Sequence, residues 1–309
     1  MNRPTRQTAA GQAYLDLQNR ARRERRTTQE LLTLYVLERW LARLAVTPHA
    51  GMFVLKGGLL LAVFDARRPT ADADLLARNL RSDPATIANR VREIAEWALP
   101  EDDGVTYLVE TITAETPRRR RLRRRADRDE LHVSTATVRL KLDINVGDPV
   151  TPAPTVIDLP SQRFNTPAVP VLGYPVETVL AEKISTAIAL GDANTRVRDY
   201  VDIYALTGRH AITFTTTSAA LNATAEHRHV AVQPLSQALG TFASLRQSAY
   251  DAFRRRLGVD GTHLPESLAD VVAHVTRFAD PLAGDDERWT TWDPSLREWR
   301  RQANRRSGR

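Results

Sequence analysis

The chain has 309 residues, of which 42% are apolar, so it can bury a substantial core in one large domain or two ordinary ones. It contains no cysteine, which excludes disulfides, thiolate zinc sites and cysteine nucleophiles. The formal net charge of +7 is compatible with a polyanionic partner such as nucleic acid, although a basic composition alone is a weak indication. No apolar run approaches the roughly 18 residues of a membrane helix, and the N-terminus lacks the apolar core of a signal peptide. We therefore expect a cytoplasmic protein without a membrane partner.

The N-terminal third alternates between predicted helices and strands. Residues 1–26 form a polar, basic segment. Thr27 and Glu30 have capping-box spacing, and an apolar stripe predicts a helix from about 28 to 46. The elements predicted next, in chain order, are a buried strand at 52–55, a short helix at 59–64, a strand at 72–77 and a helix at about 84–98.

The middle of the chain is rich in β-forming residues. Two runs rich in Val, Thr and Ile, at about 105–114 and 131–146, predict antiparallel strands. They flank an arginine-rich connection at 118–125. The segment 149–175 is rich in proline and predicts a loop with short strands.

From Val176 onward the pattern is helical to the C-terminus. Breaks are predicted near 191–196, 208–216, 224–233 and 259–265. The N-terminal part of the chain is thus predicted to be α+β, and the C-terminal part to be all-α. We expect a core domain at 27–170 and a helical C-terminal domain at 171–309.

A pair of glycines precedes a pair of aspartates. Gly57 and Gly58 are followed by Asp72 and Asp74, whose side chains on a strand would project to one face about 7 Å apart along the chain. Converging carboxylates repel unless a cation lies between them, and a hard cation such as Mg²⁺ or Mn²⁺ is the natural ligand. Asp143, within an alternating strand pattern, is a third candidate ligand, with an arginine ion pair as the alternative. Backbone N–H groups of a glycine turn could also approach a triphosphate closely.

Lysine is rare in this chain, which has only three among its 44 basic residues: Lys56, Lys141 and Lys183. The ammonium group of lysine is a compact point charge, and the planar guanidinium of arginine cannot replace it at every site. Lys183 lies at the edge of an apolar helix face, and Asp199 and Asp202 share another helix face. This set predicts either a salt bridge between helices or a lysine that neutralises phosphate charge with an orienting aspartate.

These motifs together resemble the AbiEii/MenT-type toxins of the nucleotidyltransferase superfamily with a polymerase-β-like core. The resemblance extends from about residue 50 to 207. Its motifs are Lys56-Gly57-Gly58, Arg68-x-Thr70-x-Asp72-x-Asp74, Glu177-x4-Glu182-Lys183 and Arg196-x-Arg198-Asp199-x2-Asp202.

The resemblance implies a toxin of a toxin–antitoxin pair that transfers a nucleotide from an NTP, with Mg²⁺, to the 3′ end of tRNA. Such a transfer blocks aminoacylation and translation. The implied fold is a mixed β-sheet with flanking helices plus a helical C-terminal domain, and we expect a monomer with a cognate antitoxin as partner. Carried over to this chain, the catalytic residues are Asp72, Asp74, Lys183 and Asp199, the metal ligands are Asp72, Asp74 and Asp143, and the nucleotide contacts are Gly57, Gly58, Arg68, Thr70 and Lys183.

Two further features bear on RNA binding and regulation. The arginine-rich connection is either a solvated loop or a phosphate-binding arm, with Arg119, Arg120, Arg123 and Arg124 as candidate RNA contacts. Thr70 would share the face of the aspartates, and its phosphorylation would add about −1.5 to −2 charges among them. We therefore hypothesise that a modified Thr70 is inactive.

Other polar and aromatic motifs have simpler interpretations. His227-Arg228-His229 is interpreted as a loop, because no third metal ligand has suitable spacing. Trp289, Trp292 and Trp299 predict the packing of a terminal helix rather than base stacking. Two alternative functions stay open: transfer of the nucleotide to a protein hydroxyl, and a non-catalytic RNA-binding module.

Overall fold

The computed structural model describes residues 4–66, 70–114, 129–133 (backbone only), 136–284, 286 and 288–302. The chain divides into two compact units. Unit 1 comprises Met1–Val63, Pro69–Gly147 and Thr155–Gly173, and unit 2 comprises Phe64–Arg68, Asp148–Pro154 and Tyr174–Arg309.

Unit 1 begins with helix α1 (Ala9–Glu24), which lies in the segment that the sequence identified only as basic. The Thr8 side chain accepts a hydrogen bond from a backbone N–H of the first turn, as an N-cap should. The buried side consists mainly of Ala13, Leu17 and Ala21 at four-residue spacing. Because this apolar stripe is narrow and carries two alanines, it is hard to recognise among the surrounding arginines.

The second helix has the bounds that the sequence predicts. Helix α2 (Thr28–Val46) starts at Thr27, whose side chain accepts a hydrogen bond from the Glu30 backbone N–H. Most of its residues are buried, including Trp40 and Leu37. Helix α2 is therefore the central helix of unit 1. Unit 1 also contains the short helix α3 (Gly57–Leu60) and helix α4 (Pro84–Glu96), which is capped by Asp83.

The strands of unit 1 form two sheets. They are, in chain order, β1 (Phe53–Lys56), β2 (Ala73–Ala77), β3 (Val105–Tyr107), β4 (Asp129–Val133), β5 (Ala136–Leu140), β6 (Leu142–Val146), β7 (Thr155–Leu159) and β8 (Val169–Gly173). The larger sheet has the order β6-β2-β1-β8-β7, with β2–β6 and β1–β8 parallel and β1–β2 and β7–β8 antiparallel. The smaller sheet has the order β3-β4-β5. The predicted α+β class with a mixed sheet is thereby confirmed.

The β-rich run at 131–146 is not one strand, as the sequence predicts, but parts of three. Strand β5 pairs with β4, whereas β6 pairs with β2, so the chain changes sheets between Leu140 and Leu142. At this junction the Lys141 carbonyl accepts a hydrogen bond from the Ala73 backbone N–H at 3.1 Å. Likewise, the predicted strand at 105–114 ends early, because a 3₁₀ turn follows β3.

Unit 2 is built mainly from helices. They are α5 (Val176–Leu190), α6 (Val197–Thr207), α7 (Phe214–His227), α8 (Leu235–Ala238), α9 (Phe242–Leu257) and α10 (Leu268–Ala279). Within the described portion of the chain, no helix is both long enough and apolar enough to cross a membrane.

The end of unit 2 is a β-hairpin, so the prediction of a terminal helix is wrong. Strands β9 (Ile212–Thr213), β10 (Trp289–Asp293) and β11 (Glu298–Arg301) form an antiparallel sheet. Trp292 and Trp299 are cross-strand partners that are 0% and 6% exposed, and both rings contact Phe278 at 5.0 Å between centroids. These two tryptophans are core residues and are not available for base stacking.

Candidate active site

Three aspartates lie together at one end of neighbouring strands in unit 1. Asp74 in β2 and Asp143 in β6 are register partners in a parallel pair, so their side chains leave the same face of the sheet. Asp72 lies just before β2. The Lys141 ammonium joins the group, because its Nζ donates to Asp72 Oδ2 at 3.2 Å and to Asp143 Oδ2 at 2.9 Å. The structure thus brings together the three carboxylates that the sequence proposes as metal ligands.

The surroundings of Asp74 disfavour its ionised form. Its burial raises the pKa of the carboxyl, and the negative charges of Asp72 and Asp143 raise it further. The cross-strand neighbour Lys56 and a hydrogen bond from the Gly58 backbone N–H act in the opposite direction without cancelling the effect. Additional positive charge beside Asp74 would therefore stabilise its ionised form.

Lys141 provides part of that positive charge. Burial alone would lower the pKa of its ammonium group, but the adjacent Asp143 and Asp72 carboxylates outweigh burial, and the net shift is upward. Lys141 therefore remains a cation that holds two of the three aspartates at hydrogen-bonding distance. The sequence placed it beside Asp143 without assigning it to the site, although its rarity in an arginine-rich chain was the available signal.

The glycine turn fixes the position of Asp74. Gly57 has a φ of 69°, in the left-handed region, and a Cβ atom added there would lie 1.9 Å from Asp74 Oδ2. The backbone N–H of Gly58 donates to the Asp74 carboxylate. In this structure, the two glycines therefore allow the close approach of Asp74 to the turn that begins α3.

Replacing Gly57 with alanine is expected to destabilise the protein by at least about 1–2 kcal/mol from the backbone conformation alone. The added methyl group also displaces Asp74 from its place in the aspartate cluster. The matched control is Gly51→Ala, since a Cβ atom at Gly51 meets no other atom within 4 Å. Urea denaturation measures the free energy of unfolding of both variants, and equal losses in the two would contradict this role of Gly57.

The donor chemistry of the cluster suits a divalent cation, but its present arrangement does not enclose one. Considering only the described residues, no group of three or more His, Asp or Glu side chains is placed to hold a metal ion. The physical reason is that the Lys141 ammonium binds Asp72 and Asp143, while Asp74 lies against the glycine turn. Carboxylate oxygens are nevertheless the ligands that Mg²⁺ and Mn²⁺ prefer.

Thr70 contacts the cluster directly. Its Oγ1 donates to Asp72, at 2.9 Å from Oδ1 and 3.2 Å from the backbone carbonyl oxygen. Thr70 thus orients Asp72. Another predicted nucleotide contact, Arg68, lies outside the described residues, as do the predicted RNA contacts Arg119, Arg120, Arg123 and Arg124.

A second charged cluster lies in unit 2, between α5 and α6. Lys183 Nζ donates to Asp199 Oδ1 at 3.0 Å and to Asp202 Oδ2 at 2.7 Å. Both aspartate side chains are 2% exposed, and Arg196 forms a second ion pair with Asp199 at 2.6 Å. The predicted association of Lys183 with the two aspartates is therefore present in the structure.

This cluster lies beside a cavity of about 670 Å³ within unit 2, which Asp202 helps to line. Tyr204 and Phe253 contribute aromatic walls, and Arg209 and Arg297 contribute positive charge. The Arg297 guanidinium lies 4.3 Å from the centre of the Tyr204 ring. The buried ion pairs of Lys183 are thus adjacent to a space of ligand size, which sequence reasoning did not indicate.

Lys183 favours the ionised form of Asp199. Burial would raise the pKa of Asp199, but the charges of Lys183 and Arg196 outweigh burial and lower it. Removal of Lys183 would leave this carboxylate buried with less compensation. The cluster therefore has a structural role, whether or not Lys183 also contacts a nucleotide.

The two histidines of His227-Arg228-His229 do not form a metal site. His227 faces Asp148 at 3.7 Å, and Arg228 forms an ion pair with Glu182 at 3.2 Å. Across the residues that the structure covers, no metal-binding group includes these histidines.

The mixed sheet, the glycine turn and the adjacent strand aspartates are the features that the resemblance to nucleotidyltransferases implies. Sequence comparison supports a narrower assignment, since the profile of the family described as "Nucleotidyl transferase AbiEii toxin, Type IV TA system" matches residues 39–285. The chain therefore belongs to the AbiEii family of nucleotidyltransferase toxins, which act in type IV toxin–antitoxin systems. Membership of this family implies an antitoxin partner, and it confirms the family predicted from the sequence motifs.

Among solved structures, the nucleotidyltransferase toxin MenT4 from Mycobacterium tuberculosis H37Rv is similar to this chain. The two share 14% sequence identity and superpose with a TM-score of 0.47, over 90% of this chain and 94% of MenT4. A comparison with curated proteins finds no match.

Proposed function

We propose that this toxin transfers a nucleoside monophosphate from an NTP to the 3′ end of tRNA, which blocks aminoacylation and translation. The proposal places this reaction in the cytoplasm, where the cognate antitoxin counteracts it. The observation that carries it is the group of three neighbouring carboxylates, in which burial and like charge raise the pKa of Asp74. The net charge of +7 supports an RNA acceptor rather than a protein hydroxyl.

In this proposal, Asp72, Asp74 and Asp143 would hold Mg²⁺ or Mn²⁺. A metal held there would supply positive charge to the phosphate oxygens while the acceptor hydroxyl displaces pyrophosphate in line from the α-phosphorus. Thr70 keeps Asp72 oriented, and Lys141 fixes Asp72 relative to Asp143. Their positioning lowers the reorganisation that the carboxylates would otherwise undergo when the substrate binds.

The proposal also assigns residues that would contact the nucleotide. Gly57 and Gly58 would provide a turn close to the triphosphate, and Arg68 and Thr70 would contact its oxygens. Lys183 would neutralise phosphate charge while Asp199 and Asp202 orient its ammonium group, consistent with the hydrogen bonds that the lysine makes. A carboxylate of the site would accept the proton of the attacking hydroxyl group.

The arginines of the 118–125 segment are proposed to contact RNA phosphates. Replacing Arg119, Arg120, Arg123 and Arg124 with glutamine is expected to raise the KM for RNA and to leave NTP binding unchanged. The effect should be largest at low salt, because phosphate contacts are screened by added ions. Steady-state kinetics at two salt concentrations test this, and an RNA KM that does not respond to the substitutions contradicts it.

Thr70 is proposed to act as a regulatory site. A negative charge there would lie beside Asp72, to which the Thr70 hydroxyl now donates. We expect Thr70→Glu to abolish transfer through loss of NTP binding, and Thr70→Val to reduce transfer more mildly. Calorimetric titration with a non-hydrolysable NTP gives the affinity, and wild-type activity and affinity in Thr70→Glu would reject the switch.

The acceptor can be identified by supplying RNA and protein separately. The protein is incubated with each labelled NTP, with Mg²⁺ or Mn²⁺, in the presence of either total tRNA or total cellular protein. We expect label in tRNA alone. Label in protein alone would establish the protein-hydroxyl alternative, and RNA binding without label in either acceptor would establish a non-catalytic RNA-binding module.

A further inference from the structure

An exposed aromatic ring lies among arginines on the surface of unit 1. Phe164, in the connection between β7 and β8, is 61% exposed. The guanidinium carbon of Arg23 lies 4.4 Å from the centre of its ring, and that of Arg20 lies 5.7 Å from it. Phe164 therefore does not belong to the core, and the guanidinium groups of Arg20 and Arg23 lie beside its ring.

The connection that carries Phe164 is anchored on the body of unit 1. The buried carboxylate of Glu38 in α2 accepts hydrogen bonds from the Ser161 hydroxyl at 2.9 Å and from the Gln162 backbone N–H at 2.5 Å. Arg20 in α1 donates to the Gln162 carbonyl at 2.6 Å. The ring thus projects from a segment that two helices hold in place, which lowers the entropy cost of binding a ligand on it.

Exposed arginines are concentrated at the end of α1. Arg22, Arg23 and Arg25 are exposed, and within the described part of unit 1 no carboxylate lies at ion-pair distance from any of them. The acidic residue of this stretch, Glu24, pairs with Arg20 and with Arg26 instead. A favourable interaction with the helix dipole explains one or two basic residues here, but it does not explain an exposed aromatic ring beside them.

We propose that Phe164, Arg22, Arg23 and Arg25 form a docking surface for single-stranded RNA. One base stacks on the Phe164 ring, and the three arginines contact the neighbouring phosphates. Aromatic rings combined with a basic surface are the recurring means of binding single-stranded nucleic acid without reading its sequence. The choice of RNA as the polyanion rests on the proposed function, whereas the stacking and the charge contacts rest on the geometry of this surface.

The stacking contact is tested with Phe164→Leu, which keeps an apolar side chain and removes the ring. The probe is a fluorescein-labelled oligoadenylate RNA of twelve nucleotides, and its Kd is measured by anisotropy without NTP. We expect the Kd to rise about tenfold, the loss typical of one stacked base. The matched control is Trp97→Leu, an aromatic residue of the same unit that is 42% exposed and should leave the Kd unchanged.

The charge contacts are tested with the double variant Arg22→Gln/Arg23→Gln. Both arginines lie in the last turn of α1, so the control is Arg255→Gln/Arg256→Gln in the last turn of α9, with the same change of charge. The slope of log K against log salt concentration should become shallower by about 1.4 for the α1 variant, since each phosphate contact on single strands contributes about 0.7. The α9 variant should keep the wild-type slope.

Three results would overturn the proposal: no RNA binding by the wild-type chain at low salt, an unchanged Kd in Phe164→Leu, or equal losses in the control variants. An acidic protein that binds the wild-type chain but not Phe164→Leu, while RNA affinity stays unchanged, would assign the surface to a protein partner. Because binding is measured without NTP, the outcome is separate from that of the transfer reaction. Failure of transfer with intact Phe164-dependent RNA binding would reject the proposed function alone.

Discussion

Replacing Asp74 with asparagine is expected to abolish nucleotide transfer and, at the same time, to stabilise the fold. The loss of activity should be at least about 10²–10³-fold, as for the removal of a group that stabilises charge in the transition state. The gain in stability follows because burial and the charges of Asp72 and Asp143 disfavour an ionised Asp74. The amide oxygen can still accept the hydrogen bond of the Gly58 N–H group. A gain of about 1 kcal/mol would raise the Tm by about 2–4 °C.

The pH dependence of this gain provides a sharper test. The pKa of Asp74 is raised in the folded state, so protonation of this carboxyl stabilises the protein below its ordinary pKa, and that stability is lost as the pH rises through the folded-state pKa. The Tm difference between Asp74→Asn and wild type should therefore be largest near neutral pH. It should vanish below a pH of about 4, where both side chains are neutral.

Thermal scans of both proteins from acid to neutral pH, in the absence of added metal, measure this difference. The control is Asp158→Asn on β7 of the same sheet, because Asp158 is exposed and should change neither activity nor Tm. A lower Tm for Asp74→Asn at neutral pH would contradict the electrostatic account of the site. Substantial activity of the variant would contradict its catalytic assignment.

Replacing Lys183 with methionine is expected to cost both stability and activity. The substitution leaves Asp199 and Asp202, each 2% exposed, without the ammonium that they share. Breaking a buried ion pair from one side typically costs about 3–5 kcal/mol. Arg196 retains its ion pair with Asp199, which should moderate the loss at that carboxylate.

A stability-restored variant separates the structural role of Lys183 from the catalytic role. In the triple variant Lys183→Met/Asp199→Asn/Asp202→Asn, no buried charge is left unpaired at these three positions, so most of the stability should return. If Lys183 contacts the triphosphate, this variant remains inactive although it is folded. Urea denaturation and transfer kinetics measure the two effects, and wild-type kcat in the triple variant would show that Lys183 only holds α5 against α6.

Local signals in the sequence predict the parts of the fold that local interactions determine. Helix α2 has both a capping residue and a continuous apolar stripe, and its predicted bounds agree with the structure. The expectation that Asp72 and Asp74 project to one face also comes from the sequence, because alternation along a strand predicts which side chains share a face. Their proximity across strands, in contrast, depends on the parallel pairing of β2 with β6.

The parts that the sequence did not reveal depend on contacts between distant segments. The tryptophans at 289, 292 and 299 have a spacing compatible with one helix face. In the structure, however, Trp292 and Trp299 are partners across the β10–β11 hairpin, and β10 also pairs with the distant strand β9. The contact of Lys141 with Asp72 requires the chain to leave one sheet and enter the other, a change that a continuous β-rich run does not signal. The Phe164 surface likewise depends on the approach of the β7–β8 connection to α1.

The central claim is that this chain adds nucleotides to the 3′ end of RNA through the aspartate cluster. The most direct test measures the masses of RNA fragments after the reaction. Purified tRNA is incubated with the four NTPs, with Mg²⁺ or Mn²⁺, and with either the wild-type protein or Asp74→Asn. Nuclease fragments are then analysed by mass spectrometry. The account predicts that only the 3′ fragment gains whole nucleoside monophosphates, and only with the wild-type protein. Unchanged masses of all fragments with the wild-type protein, or the same additions with Asp74→Asn, would contradict it.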